Sequence, residues 1–478
     1  MYRLIPISVF ACFLWLALKP DLSLAIPELT GLSAFIVILL AIAQTDFAKR
    51  KQQFPCNDQA LHSTTPQPWS AGFILVFALV LRVMFLWHPP ALSDDIYRYC
   101  LDGIMLINGH NPYGHAPLDV YNSFHATDFL VPLANNPDLP AIYPPAAQIV
   151  FAAGAFAGKI TGMVTGMKLV LVMMDILSCA LIIGILKEMK LPVSRATIYA
   201  WHPLPVLEVS SSGHIDAAAI FFLLMAVYVS LHHEIKRGYW WNGGYWRNRS
   251  YWWSVLALSG IIPGIFMGLS ILTRWMPLMF LPGLLFMLRC TRRKIAATGG
   301  CAVLMGLLTT LFWPDIVNSI STLNIYIQKW EFSGFVFRIV EQKIEGHIAR
   351  PGAGAPVLIA VVFLYLACSI FLRILKNHSL QATMTSFFMV SLAWLILTPT
   401  LYPWHSLYLV AFLPFSLNIA GLALSWSVLL AYQVLIPYKI TGQWTATNTV
   451  PLMIAGAPAA AFAGYVMFRY PRKTPVQE

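Results

Sequence analysis

Apolar runs of about 15 to 20 residues recur along most of this chain, separated by short polar breaks. Runs of that length suit a helix that crosses a bilayer and satisfies its own backbone hydrogen bonds in lipid. The pattern predicts spans near 4–18, 29–45, 70–88, 145–160, 168–187, 195–209, 215–232, 252–272, 275–289, 295–313, 355–373, 383–399, 403–418, 419–436 and 448–468. Several are short or interrupted by proline, so about twelve to fifteen transmembrane helices are expected. Alternating strand-like segments are not seen, which argues against an outer-membrane barrel. The expected fold class is an all-α polytopic membrane protein. Its blocks are N-terminal spans with a basic loop (1–69), a central group of spans (70–313), a second long loop (314–354) and C-terminal spans (355–478).

Composition sharpens this class. The 478 residues are 58% hydrophobic and 11% charged, against about 25% charged in soluble domains. The net charge of +11 implies no nucleic-acid partner, because Lys and Arg accumulate in the cytoplasmic loops of any multi-span protein. The seven cysteines form no CxxC, so neither a disulfide framework nor a zinc site is expected. The first apolar run lacks a small-residue cleavage site and reads as a span rather than a removed signal peptide.

Charge also sets the expected orientation. Lys49, Arg50 and Lys51 form one basic cluster, and Lys236, Arg237, Arg247 and Arg249 a second. Arg289, Arg292, Arg293 and Lys294 form a third, and Arg469, Arg472 and Lys473 a fourth. All four are assigned to the cytoplasm. Two long loops then face the other side. Loop 89–144 holds six aspartates and Arg98 but no lysine or glutamate. Loop 314–354 is mixed in charge. One conflict arises: if 145–160 and 168–187 both cross, Lys187, Lys190 and Arg195 land outside, unless one neighbouring segment is re-entrant. The Trp/Tyr/Gly-rich stretch 239–253 reads as an interfacial aromatic belt.

Candidate chemistry concentrates in the first long loop, whose length points to function. In "LSDDIYRYCLDG", Ser93 can cap a short helix, with Asp94 and Asp95 in the first turn, where the helix dipole favours anions. Asp94 and Arg98 are four apart and are expected to pair. Asp95 and Asp102 share a face. Ordinary first-turn carboxylates would look the same. Two adjacent carboxylates at the end of a span nevertheless cost desolvation unless solvated or used. Near other spans, "WHPLPVLEVSSSGHID" puts His202, Glu208, His214 and Asp216 around a break at 210–213. "ILTRWMPL" sets Arg274 in an apolar run, and "TPTLYPWHSLYL" carries Tyr402, Trp404 and His405 at a proline-marked turn. Alone, each also fits a buried hydrogen-bonded contact or an aromatic interface anchor. Together they supply carboxylates, histidines, a cation and aromatic surfaces, a set suited to gripping a charged amphiphile.

"SDDIYRYCLDG", "NGHNPY", "YPPAAQ", "WHPLPVLEVSSSGHIDA", "LTRWMPLMFLP", "KWEFSG" and "YPWHSLYLVAFLP" occur in this order. The set resembles bacterial GT-C-type glycosyltransferases, the polyprenol-phosphomannose-dependent mannosyltransferase-like proteins, over roughly residues 70 to 420. The resemblance implies a GT-C multi-span fold with a large first extracytoplasmic loop, working in the bacterial cytoplasmic membrane on its outer face. It implies transfer of a hexose, with mannose the leading association, from a polyprenyl-phosphate donor to a lipid or glycan acceptor. The acidic residue at the loop's start acts as base, so Asp94 or Asp95 takes that role; if Asp94 pairs with Arg98, Asp95 is the better choice. Arg274, Lys329 and Arg338 would meet the donor phosphate, and Trp404 and His405 would line the groove for the polyprenyl tail. Arg98, Asp102, Asn111, Tyr113, Tyr143, His202, His214 and Asp216 would meet the sugar and acceptor. The sequence departs from the family pattern at Cys100, Leu101, His202 and Arg274, the last a cation for a cation. No cofactor is expected; a divalent metal on Asp94 and Asp95 is chemically conceivable, but one carboxylate pair is a thin ligand set. The main rival class is a transporter or lipid-linked sugar flippase. It would show paired repeats and mid-membrane polar residues instead of one acidic outer loop. A structural component of an envelope assembly is a further, blander reading.

Overall fold

The computed structural model describes residues 3–53, 68–120, 129–241, 249–329, 332–344, 354–376, 379–445, 447 and 449–469. The architecture is all-helical, as the apolar pattern predicts. Among the described residues no strand forms, only isolated bridges from Phe332 and Ser333 to Thr400. The chain begins with α1 (Leu4–Ala17), α2 (Ile26–Gln53), α3 (Ala71–Val83) and α4 (Asp95–Ile107). The single turn α5 (Pro117–Val120), α6 (Pro145–Thr161) and α7 (Met163–Glu188) follow. The later long helices are Asp216–Trp241, Arg249–Thr273, Thr291–Thr310, Gly354–Lys376, Leu380–Leu397 and Thr449–Arg469.

Among the described residues six segments are long and apolar enough to cross a bilayer: Ile26–Gln44, Met163–Glu188, Gly354–Leu375, Leu380–Leu397, Ile419–Thr441 and Thr449–Val466. Thr291–Thr310 followed by Asp315–Ile325, bent by 104°, is one broken candidate more. Five apolar helices are shorter, among them α1, α3 and Asp216–His232. The sequence reading of about twelve to fifteen spans includes these pieces, of which Asp216–His232 and Ser259–Thr273 are parts of the longer helices Asp216–Trp241 and Arg249–Thr273. The clearest correction is at 195–209. Pro203 and Pro205 each lack an N–H for a regular helix. The chain runs instead through 3-10, α and π turns from Val193 to Ser211. The basic clusters at 49–51, 236–249 and 469–473 and the aromatic stretch 239–253 fall wholly or largely on side chains outside the described residues.

Helices in lipid gain little from hiding apolar surface from one another, so small residues and buried polar pairs carry the packing. At Gly103 on α4, a Cβ would lie 2.2 Å from the carbonyl oxygen of Phe151 on α6. At Gly264, a Cβ would lie 2.1 Å from the carbonyl oxygen of Ala297. Arg82 on α3 pairs with Asp175 on α7 at 2.6 Å, both fully buried. Tyr199 donates to the same carboxylate at 2.5 Å, and Arg82 also donates to the carbonyls of Ala78 and Ala200. The buried Lys168 ammonium donates to the carbonyl of His88 at 2.5 Å, just beyond α3, where a helix end offers unpaired acceptors.

The two long loops pack on each other. Asn111 donates to Asp315 at 2.9 Å and Asn318 to the Tyr113 carbonyl at 2.9 Å. Tyr113, Ala141 and Phe312 form a small apolar core between them. Both loops therefore lie at one end of the helix assembly.

Candidate active site

The site starts at the first turn of α4. The Ser93 hydroxyl accepts the Asp95 amide at 3.3 Å, from the residue before the N-cap; the N-cap itself is Asp94, not Ser93 as the sequence suggests. Asp95 Oδ1 accepts from Asn135 at 2.6 Å, and its Oδ2 from the Tyr99 and Tyr143 hydroxyls at 3.3 and 3.4 Å. Asn135 also reaches Asp94 at 3.2 Å. Asp94 stays open to solvent at its tip. The protein crowding its other sides, followed by the like charge of Asp95, pushes its pKa up to about 6.

The expected Asp94–Arg98 pair does not form. Arg98 bonds Asp102 at 2.8 Å, and Asp102 is fully buried. An unpaired charge there would cost several kcal/mol, about 3–5 when one partner of a buried pair is removed, so the guanidinium turns inward. Gln148 approaches the other Asp102 oxygen at 3.3 Å. Arg98 then donates to the carbonyl of Asn136 at 2.8 Å, a residue held at φ +42°. The Asp102–Arg98–Asn136 chain thereby fixes the turn that holds Asn135 over the two carboxylates.

The facing wall is the break after the π turn. Gly213 takes φ +76°, and a Cβ there would lie 2.3 Å from Ile96 Cδ1; only glycine satisfies both demands. The break thus sits directly against the first turn of α4. His214 Nδ1 lies 3.1 Å from Glu208 Oε2, and the Tyr432 hydroxyl lies 2.8 Å from both Glu208 oxygens. Asp216 opens the next helix and pairs with Arg274 at 3.5 Å. Arg274 follows the C-terminal end of Arg249–Thr273, where the helix dipole favours a cation. Its guanidinium lies 3.3 Å from His405 Nε2 and 5.5 Å from the centre of the Tyr143 ring. Tyr143 therefore touches Asp95 with its hydroxyl and Arg274 with its face.

Aromatic rings close the third side. His214 stacks on Trp404 at 4.1 Å, Trp404 on Tyr402 at 4.4 Å and Tyr402 on Phe332 at 4.8 Å. Phe332 is tied to the 399–401 turn by bonds of 3.1 and 2.7 Å. "KWEFSG" and "YPWH", 70 residues apart (332 to 402), thus meet in one stack.

Asp94, Asp95, Tyr143, His214, Asp216, Arg274, Trp404 and His405 are brought together. Arg98 and Asp102 stand behind them as supports. Asn111 and Tyr113 join the two loops, and Tyr113 braces the Tyr143 carbonyl at 2.5 Å. His202 is fully buried and spends its ring on the Leu204 amide at 3.1 Å and Ser425 at 2.9 Å. Arg338 lies half-buried on the helix Phe335–Ile344, and the Lys329 side chain falls outside the described residues. Asn135, Tyr99 and Tyr432 were not anticipated; Asn135 and Tyr432 reach partners 40 to 224 residues away that no local pattern marks, while Tyr99 lies one helical turn from Asp95. Among the described residues, no three His, Cys, Asp or Glu side chains converge to hold a metal ion. Four carboxylates (Asp94, Asp95, Glu208 and Asp216) against one arginine and two histidines make this a site suited to a developing cation.

Comparison with known proteins gives one family model. The MptA_B family model, described as alpha-(1->6)-mannopyranosyltransferase, N-terminal domain, matches residues 31–289. That stretch contains α4, the 208–216 break and Arg274. No curated protein and no solved structure matches.

Proposed function

Because this chain belongs to the MptA_B family of GT-C-type mannosyltransferases, we propose that it moves mannose from a polyprenyl phosphate to an acceptor hydroxyl, with Asp95 as base. That it is a multi-pass membrane mannosyltransferase follows from the family and the apolar helices. The donor, the base and the sidedness are our own reading. The alpha-(1->6) linkage in the family's description points to a 6-OH, which we assign to a mannose unit of a lipid or glycan acceptor. We read the acid-rich loop and its partner loop as lying outside the bacterial cytoplasmic membrane, because the positive-inside rule assigns the basic clusters to the cytoplasm.

The observation that carries the reading is Tyr143. Its hydroxyl holds Asp95 and its ring faces Arg274, so a carboxylate and a cation flank one phenol. A glycosyl phosphate needs that separation of charge. The acceptor oxygen attacks the anomeric carbon from the carboxylate side while its proton passes to Asp95. The bond from the anomeric carbon to the phosphate oxygen breaks, and both electrons leave on the phosphate. Arg274 stabilises that charge. The sugar passes through an oxocarbenium-like state, which the surrounding carboxylates favour. Asp94, titrating near 6 and open to solvent, carries the proton onward. A single displacement inverts the anomeric centre, so an α product calls for a β-linked donor.

The test is transfer of label from a radiolabelled polyprenyl-phosphate mannose to a mannose-terminated acceptor by purified protein. Label in the acceptor supports the reading. Transport of intact donor across liposomes without transfer would instead identify a flippase.

A further inference from the structure

His214 is the one ring in the site whose orientation is fixed on one edge and unanswered on the other. Its Nδ1 faces two acceptors of Glu208, the carboxylate at 3.1 Å and the backbone carbonyl at 3.2 Å. Nδ1 therefore carries a proton. Tyr432 spans both oxygens of that carboxylate and fixes it. The ring face lies on Trp404. Nε2 is buried, and among the described residues it has no hydrogen-bond partner. A fully buried ring nitrogen left unpaired is costly, unless a ligand completes it.

Resting on the proposed mannosyl transfer, we infer that His214 is a second phosphate-binding group, an imidazolium donating Nε2–H to an oxygen of the polyprenyl phosphate. Position supports this. Through Trp404 the ring shares the wall that carries His405, which in turn contacts Arg274. Through Gly213 it abuts the first turn of α4. It thus stands between the cation that meets the phosphate and the carboxylate that meets the acceptor. Glu208 acts as a positioning residue: a carboxylate behind the ring favours its charged form and fixes its direction. No proton changes hands at His214. It holds the phosphate before the bond to the sugar breaks and more strongly as the dianion forms, while the acceptor's proton still goes to Asp95.

Farnesyl phosphate, a short alkyl monophosphate, probes the site without turnover. In detergent or nanodiscs, His214→Gln should weaken its binding at least tenfold and lower kcat about a hundredfold, leaving the acceptor KM unchanged. Glu208→Gln should move the same two quantities by a smaller factor. On wild-type protein with 15N-labelled histidine, adding farnesyl phosphate should bring one buried imidazole into the doubly protonated, hydrogen-bonded range, and that signal should be missing in His214→Gln. This wild-type signal protects the test against a variant that fails to fold. Unchanged farnesyl phosphate affinity, or a raised acceptor KM in its place, would overturn the assignment and put His214 on the acceptor side. A wild type that transfers mannose yet shows no such imidazole signal would overturn the assignment while leaving the transfer intact. A wild type that binds no alkyl phosphate would overturn both.

Discussion

Among the described residues, two Arg–Asp pairs link segments far apart in the chain, and they behave differently. Arg82 and Asp175 meet at 2.6 Å with both side chains fully buried. Tyr199 and two backbone carbonyls use much of their remaining bonding capacity, and only Arg82 Nη2 of this pair has no partner among the described residues. Arg274 and Asp216 meet at only 3.5 Å, and the arginine is 19% exposed. Neither Asp216 oxygen has a conventional hydrogen-bond partner among the described residues. The first pair is spent on holding α3 to α7. The second keeps bonding capacity in hand, between a tyrosine face and a histidine. A buried charge alone therefore marks no function; an incompletely satisfied one next to other such groups does.

Substitutions sharpen this contrast, beginning with the largest effect. Arg274→Ala should cut mannosyl transfer by about 10²- to 10³-fold, as losing one stabilising donor does, and should cost less stability than a change at Arg82, because the Arg274–Asp216 contact is longer and its arginine is partly exposed. Arg274→Lys should recover part of the transfer. Arg82→Met should do the reverse and destabilise by about 3–5 kcal/mol, since Asp175 is left buried and charged. Thermal unfolding in detergent reads this, and the double change Arg82→Met with Asp175→Leu should restore much of the loss. A stable Arg82→Met that lacks transfer would erase the distinction between the pairs.

Gly213→Ala follows. It forces a side chain into a left-handed backbone conformation and against Ile96. Transfer should fall about tenfold, with a loss of about 1–2 kcal/mol in stability. Asp94 gives the smallest effect. Its pKa is higher folded than the ordinary 3.8. Between those values the folded chain keeps a proton that the unfolded chain has released. Stability should therefore fall as pH rises from about 4 to about 6, modestly, because the group is exposed. Asp94→Asn should flatten both this slope and the step in kcat near pH 6. An unchanged step would assign it to another group.

Parts of this site were legible from sequence, for stated reasons. The adjacent carboxylates, the "SGHID" break and Arg274 each contradict their apolar surroundings, and that contradiction is local. The partner of Arg98 was not legible. Asp94 and Asp102 both stand four residues away, and the spacing treats them alike; burial selects Asp102. The preference for Asp95 over Asp94, which is our proposal, rests now on different grounds: Asn135, Tyr99 and Tyr143 hold Asp95, whereas Arg98 does not remove its neighbour. Arg82 and Asp175 were missed because they lie 93 residues apart, each inside a run that reads as plain span. Helix number was overcounted around 195–209, where prolines break a stretch whose hydropathy alone suggests a crossing.

The central claim is that Asp95 takes the acceptor's proton while Asp94 only assists. Asp95→Asn and Asp94→Asn would be compared as purified, folded proteins, by initial rate of mannose transfer from polyprenyl-phosphate mannose. Asp95→Asn should lose about 10²- to 10⁴-fold, the usual worth of a general base, and Asp94→Asn no more than about tenfold. Wild-type rates in Asp95→Asn, or the larger loss in Asp94→Asn, would contradict it.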